Sequence, residues 1–378
     1  MTNEIVFFAP LPAFQKRTRL SKMVPYILEH GYKVRFFGWE REHGEFKKFA
    51  SEDERVTEAI ILSGGGYASR RARLLYPLWM ITVFFRVLWL GRRRTIFALG
   101  WETAFPAILA AGLTKSRVVF DDADRFSMIL CLPGLLHRGL QWLEEWTSRR
   151  AAIHMIPGFS RYDWRHDRMV ILRNSPLEAD FAEALRLVPA RPMHKVVLYA
   201  NGWIGETRGA PIFLKLLDLA DEQDIDLHLI LAGRVTGDAA PRLVSHHRVT
   251  YLGEVPQRYA LAWYGAADAV LTYYDPAITI NRKAESNKWG DAVFFGCPII
   301  VNSEVETAWP LLQSNGAWAV PYDDVEALAM LAERLANEPN MRAMASSALQ
   351  ALLSKYPVFD RQLKDILVLI SHEGKKPH

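Results

Sequence analysis

Short apolar runs alternate with helical stretches along most of this chain, and the series runs through twice. The first set of runs covers residues 5–9, 33–37, 95–99, 117–121, 152–156 and 169–172. The second covers 195–200, 227–233, 249–253, 269–273 and 298–301. Such runs, rich in Val, Ile and Phe and bounded by Gly and polar residues, predict strands, and the stretches between them predict covering helices. Alternation of this kind predicts an α/β chain with mostly parallel, doubly wound sheets. A Pro-rich link at 189–192 separates the two series. A chain of 378 residues is long enough for two cores. We therefore expect one domain over 1–188, a second over 189–355, and a final helix, 356–378, crossing back to the first with a polar, frayed tail from Glu373. Gly31, after the helical residues 20–28, stands where a left-handed cap is needed.

Two cysteines, Cys131 and Cys297, supply neither a disulfide framework nor zinc spacing, which fits a reduced cytoplasmic setting. The N-terminus has no basic leader before its first strand. Net charge is only +4, but no acidic residue falls between Ala59 and Trp101. Arg70, Arg71, Arg73, Arg86, Arg92, Arg93 and Arg94 lie there. Between them, residues 74–90 are largely apolar, yet too short and too interrupted by Pro77 and Arg86 to span a bilayer. Such a segment suits an anionic membrane interface, so residues 70–94 are expected to hold the protein peripherally on the inner face of the cell membrane. A buried helix with solvated arginines is the plainer alternative. A nucleic-acid role is disfavoured, because the basic stripe is interleaved with apolar rather than polar residues.

The block 285–298 carries the strongest chemical signal. Ser286 or Asn287 can cap a helix, and a capped N-terminus offers free N–H groups to a diphosphate. Lys288 adds a point charge there, and Asp291, one turn on, can accept hydrogen bonds from ribose hydroxyls. The loop 199–209, with Gly202 and Arg208, follows a strand and lets backbone approach phosphates. In the first half, Asp121, Asp122 and Asp124 end a strand. Three crowded carboxylates repel one another and raise at least one pKa, as a general base requires. Lys16 and Arg17 form a basic lip suited to a pyrophosphate, and Trp101 and Glu102 end another strand where an acceptor would lie.

Asn287-Lys288, an acid three residues later and Gly296-Cys297-Pro298 together resemble the donor motif of GT-B glycosyltransferases. The likeness extends over most of 195–356. It implies two Rossmann-like domains facing a central cleft, a UDP-linked sugar donor, and no metal or other cofactor. Ser286 and Asp291 replace the motif's usual Pro and Glu, and Lys283 stands where those enzymes carry an acid at the donor sugar. That departure speaks against the usual retaining site, and Asp124, matching an Asp-x-x-Asp spacing, becomes the expected base for inversion, with Asp122 in reserve; a retaining front-face reaction is the alternative if Asp124 is not a base. More narrowly, Lys288 followed by an apolar helix ending Phe-Phe-Gly-x-Pro is similar to the membrane-associated xanthan-type glucuronosyltransferase. That likeness implies donor contacts from Glu254 and Tyr273, glucuronic acid as the sugar, and a lipid-linked or polysaccharide acceptor in bacterial surface glycan synthesis. The alternatives are an inert homologue binding glycan or nucleotide as a partner subunit, and an epimerase. A dehydrogenase is disfavoured, since no Gly-x-Gly-x-x-Gly follows the first strand.

Overall fold

The computed structural model describes residues 4–67, 69–130 and 132–372. Cys131 and the tail from Glu373 lie outside them, with the expectations made for each. The chain divides into two compact units. Unit 1 comprises the chain up to Leu172 and the terminal segment from Asp360; unit 2 is Arg173–Phe359.

Unit 1 is built on seven strands: β1 (Glu4–Ala9), β2 (Lys33–Glu40), β3 (Val56–Ser63), β4 (Thr95–Leu99), β5 (Arg117–Asp121), β6 (Ile153–Ile156) and β7 (Met169–Ile171). They lie in the order β3-β2-β1-β4-β5-β6-β7, and every pairing is parallel. Its helices are α1 (Thr18–Glu29), α2 (Glu45–Phe49), α3 (Arg70–Trp89), α4 (Trp101–Thr114), α5 (Phe126–Ile129) and α6 (Gly134–Arg150). Both sheet faces are covered, so β1 is apolar at nearly every position. Phe8 stacks on Phe37 at 4.9 Å in the core shared with α3, α4 and α6. Phe7 stacks on Phe97 at 4.8 Å. In α1, Leu20, Met23, Val24 and Ile27 repeat at helical spacing and are buried. The helix ends as expected, with Gly31 at φ +82°. The final helix, Phe359–His372, joins this unit from Asp360 onward, where Arg117 donates to the carbonyl of Ile370.

The segment 74–90 belongs to α3, a helix of 20 residues. Trp79, Val83 and Val87 form its buried stripe. Leu74, Leu78, Ile81, Phe85 and Trp89, spaced four, three, four and four apart, form an exposed one, with Trp89 72% exposed. One face of α3 is therefore core, and the other is apolar and uncovered among the described residues. No helix in the described residues is long and apolar enough to cross a membrane.

Unit 2 has six parallel strands: β8 (Val196–Ile204), β9 (Leu227–Val235), β10 (Val249–Tyr251), β11 (Ala269–Thr272), β12 (Ile299–Asn302) and β13 (Ala317–Val320), in the order β10-β9-β8-β11-β12-β13. Among its helices are α7 (Glu178–Arg186), α8 (Ala210–Glu222), α9 (Ala240–Ser245), α10 (Gln257–Ala262), α11 (Thr279–Arg282) and α12 (Asn287–Phe295). Residues 173–188, assigned on sequence to the first domain, belong here, because Ala184 of α7 is buried in one cluster with Leu261 and Ala262 of α10. Cys297 is buried in that same core, which pushes its thiol pKa up.

One buried ion pair ties unit 1 together. Arg19 and Asp121 are 2% and 1% exposed, with Nε 3.2 Å from Oδ1. Arg19 Nη2 also donates to the carbonyl of Leu172, just past β7. Burial raises the Asp121 pKa and lowers that of Arg19, and each charge opposes the other's shift. Arg19→Met should strand the carboxylate and lower unfolding free energy by about 3–5 kcal/mol, read by urea denaturation. Arg19→Met with Asp121→Leu should recover most of the loss; no recovery would show that the pair is not what the fold depends on.

Candidate active site

Unit 2 gathers three glycines at adjacent strand ends. Gly202, Gly233 and Gly253 have φ of +85°, +114° and +69°. Gly233 pairs in register with Gly202, and a Cβ on it would lie 2.2 Å from the Gly202 carbonyl oxygen. Its N–H donates to the Gly253 carbonyl at 2.7 Å. Only glycine permits this approach together with positive φ. Lys288 lies over the same spot, its Nζ 3.8 Å from where a Gly202 Cβ would stand.

Lys288 is in the first turn of α12. Ser286 caps that helix, its Oγ accepting from the Lys288 N–H at 3.3 Å. The Tyr274 hydroxyl donates to the same Oγ at 2.7 Å. Arg208 places its guanidinium 4.6 Å from the Tyr274 ring centre and 5.9 Å from that of Trp203. Among the described residues no carboxylate pairs with Lys288 or Arg208. Two cations without counter-charge, a capped helix N-terminus and a side-chain-free backbone make a receptor for a polyanion.

The other expected donor residues separate. Asn287 is exposed, and its Oδ1 accepts from Asn174 at 2.6 Å. Asp291 is 4% exposed, in electrostatic contact with the phenols of Tyr199 and Tyr264, whose pKa values rise through burial first and Asp291 second. Glu254 is exposed, directly after Gly253. Tyr273 is corrected. It is buried in the aliphatic core beside α8, its ring 5.8 Å from Phe213. Successive residues leave a strand on opposite faces, so its neighbour Tyr274 reaches the site instead. Tyr274 is locked by Asn302, which accepts from its N–H at 2.8 Å and donates to its carbonyl at 3.1 Å.

Unit 1 has a cavity of about 230 Å³ at the carboxyl ends of β1, β4 and β5. Arg17, Arg41, Tyr67, Tyr76, Glu102 and Asp124 supply its polar lining. Of the residues singled out by sequence, Arg17, Glu102 and Asp124 meet here. Asp124 Oδ2 accepts from Arg17 at 2.8 Å and Oδ1 from Arg161 at 3.3 Å. Glu102, in the first turn of α4, is 7% exposed. Burial, and secondarily the charge of Asp122, push its carboxyl up to about 7, against the pull of its own N–H, Arg41 and Arg17. Arg41 packs 4.3 Å from the Trp39 ring and donates to the Tyr76 hydroxyl at 3.2 Å. No carboxylate pairs with Arg41 among the described residues. Neither Arg41 nor its tyrosines carry a motif that would single them out by sequence.

Three expectations change. Lys16 is not an open basic lip, since it pairs with Glu45 and packs on Phe49 and Tyr67. Trp101 faces the core, donating to Thr147 Oγ1 at 3.0 Å and stacking on Phe126 at 5.5 Å. Asp122 does not line the cavity: it is buried, accepts from the Tyr162 hydroxyl at 2.8 Å, and lies 3.5 Å from His154 Nε2. The carboxylate cluster is thus three separate environments. Asp121 does have a raised pKa, but through burial first.

No family model matches the chain, and no curated protein matches it in sequence. Solved structures do match in fold. HepE from Anabaena, determined with UDP and glucose, aligns with a TM-score of 0.66 at 14% identity, covering 98% of this chain and 99% of that one. WaaG, a glycosyltransferase involved in lipopolysaccharide biosynthesis, aligns at 0.60 and 12% identity over 96% and 99%. A UDP-N-acetylglucosamine 2-epimerase aligns at 0.61 and 13% over 100% and 97%. The class is thereby defined: the chain has the GT-B fold, two Rossmann-like α/β domains of seven and six parallel strands.

Glu102 yields a pH prediction. Its folded pKa is raised from 4.5 to about 7, so the stability that its protonated form contributes is full below about 4.5 and is lost as pH rises through about 7. Glu102→Gln cannot undergo that loss. Its stability relative to wild type should climb by on the order of 3 kcal/mol between about pH 4.5 and pH 8. Parallel melting curves for the two proteins across that range would place Glu102 elsewhere.

Proposed function

We propose that this chain is a glycosyltransferase taking a sugar from a nucleoside diphosphate donor, UDP-linked, bound in unit 2. The carrying observation is the pair Lys288 and Arg208, uncompensated beside Gly202 and the Ser286-capped helix. HepE, which shares the fold, was solved with UDP and glucose, and this supports UDP as the nucleotide. As the bond from sugar to diphosphate breaks, its electron pair leaves with the diphosphate. Lys288, Arg208 and the α12 N–H groups would stabilise that charge.

The unit 1 cavity would hold the acceptor. Its hydroxyl oxygen attacks the anomeric carbon while a base takes the proton, giving inversion by direct displacement. Asp124 is the base that spacing suggests. Both its oxygens, however, already accept charge-assisted bonds from guanidiniums, and protonation would disrupt them. Glu102 lines the same cavity and needs only to lose its own proton first, so it is the better base. Arg17 and Arg41 would meet a phosphate on a lipid-linked acceptor. The exposed apolar stripe of α3, with Arg71, Arg92 and Arg93 exposed beside it, would hold the protein at the anionic inner membrane face. Bacterial surface glycan synthesis and glucuronic acid follow from the motif resemblance, so UDP-glucuronic acid is the first donor to try.

Turnover should appear as acceptor-dependent UDP release from a panel of UDP-sugars. Lys288→Ala should weaken UDP binding by about tenfold to a hundredfold, the worth of one charge-assisted bond. Glu102→Gln should cut kcat by about 10²–10⁴ with UDP affinity unchanged. UDP binding without turnover on any donor and acceptor would favour the inert-homologue reading, and altered sugar on intact donor would favour an epimerase.

A further inference from the structure

A second cavity, about 590 Å³, lies in unit 1 between α4 and α6, at the amino ends of β5 and β6. It lies at the opposite ends of the unit 1 strands from the 230 Å³ cavity that Glu102 and Asp124 line. Nothing in the proposed reaction uses it. Its polar lining is Ser116, Arg117, Arg150 and Arg168, and no acidic residue lines it. Arg150 stacks 4.8 Å from the Trp146 ring centre. Arg168 Nη1 donates to the carbonyls of Arg149 and Ala151 at 3.2 and 3.4 Å. Among the described residues no carboxylate pairs with Arg150 or Arg168, so their charge is held in place but not cancelled. Ser116 Oγ accepts from the Arg94 N–H at 3.1 Å and shares a 2.9 Å hydrogen bond with the Thr114 hydroxyl, which also faces the Ala110 carbonyl at 3.3 Å.

The remaining lining is apolar, including Leu109 and the Trp146 ring. That apolar wall continues outward. Leu109 is 41% exposed, Leu113 one turn on is 68% exposed, and Trp142, one turn from Trp146, is 62% exposed. A free polar metabolite has no use for such a lip. A molecule with a phosphate at one end and hydrocarbon at the other fits both halves.

We propose that this cavity binds the phosphate of an anionic amphiphile, a membrane phospholipid, with its hydrocarbon along Leu109, Leu113 and Trp142. The source of the ligand rests on the membrane reading above; the phosphate chemistry rests on the arginines and Ser116 alone. Arg150, Arg168 and Ser116 would chelate the headgroup, so binding would be saturable and localised rather than a diffuse attraction of charge.

The test uses the full chain with dihexanoyl phosphatidylglycerol kept below its micellar concentration, and with inorganic phosphate as the second arm, both followed by calorimetry. Wild type should bind the lipid at one site, and inorganic phosphate distinctly more weakly. Arg150→Gln with Arg168→Gln should weaken lipid binding by at least about tenfold, whereas Arg92→Gln with Arg93→Gln, an equal charge change outside the cavity, should leave it within about twofold. A second control, Arg186→Gln with Lys215→Gln, removes the same charge from exposed positions of unit 2, away from both the cavity and the apolar stripe, and should also leave lipid binding within about twofold. Loss in this control equal to that of the Arg150 and Arg168 variant, or no lipid binding by wild type, would overturn the site. Inorganic phosphate binding as tightly as the lipid would overturn the phospholipid and leave a free-phosphate site. Unchanged stabilisation by UDP shows that the variants fold. If the double variant does not, Arg150→Gln alone, at an exposed side chain whose described contact is a ring, should still weaken binding by about threefold. Lipid binding that survives while phosphatidylglycerol vesicles fail to recruit the protein sinks the membrane reading and not the cavity.

Discussion

A parallel sheet sends all of its strands out at the same edge, and both units are parallel throughout. Every loop that follows a strand, and every helix N-terminus that follows the loop, therefore collects at one rim. In unit 2 that rim holds Gly202, Gly233, Gly253 and the capped start of α12. In unit 1 it holds Arg17, Arg41, Glu102 and Asp124. These residues come from distant parts of the chain, and the crossovers bring them together before any side chain is chosen. What the side chains decide is which charges at the rim stay open. Asp121 is answered by Arg19, Asp124 by Arg17 and Arg161, and Lys16 by Glu45. Lys288, Arg208 and Arg41 are left to meet an anion from outside.

Much of this was legible in the sequence. Buried strands in a parallel sheet are apolar at nearly every position, so β1, β4, β5, β8 and β9 stand out without alignment. The strands that escaped notice are β3 and β13. Both lie at a sheet edge, with partly exposed residues. The Ser286 cap and the Lys288 charge were readable because capping is local and needs only neighbouring residues. The domain division was not, since the place of α7 depends on packing against α10, seventy residues away in rough count.

Side-chain direction was the other limit. Tyr273 and Tyr274 are the same residue type, and one step along the chain puts them in the cores on opposite sides of the sheet, where only the Tyr274 hydroxyl reaches Ser286. Trp101 and Glu102 are adjacent at the start of α4, and the roughly 100° rotation between helical neighbours turns the indole inward to Thr147 and the carboxyl toward the cavity. Motif spacing picks out such pairs but cannot say which member faces the ligand. Arg41 shows the opposite failure: no motif marks it, yet the tertiary fold leaves its charge open at the rim.

The helix layer α3, α4 and α6 explains why unit 1 is so rich in uncovered apolar residues. Its inner faces meet the sheet through Trp79, Ala104 and Leu140, and this alone would satisfy a water-soluble domain. Its outer faces nonetheless carry Leu74, Phe85, Trp89, Leu113, Leu136 and Trp142, all more than half exposed. Keeping a large apolar side chain in water forfeits roughly 1.5–3 kcal/mol that burial would return. Polar residues at these outer positions would leave the inner core intact, so core packing does not account for them. The proposed contact with a lipid interface would account for them, because there the same residues would lose water without losing fold. It would also suit Arg86 and Arg150, which pack over Trp89 and Trp146 and whose charge would favour an anionic headgroup plane. The cavity between α4 and α6 is where these two requirements meet in one pocket, arginine above and leucine and tryptophan at its lip.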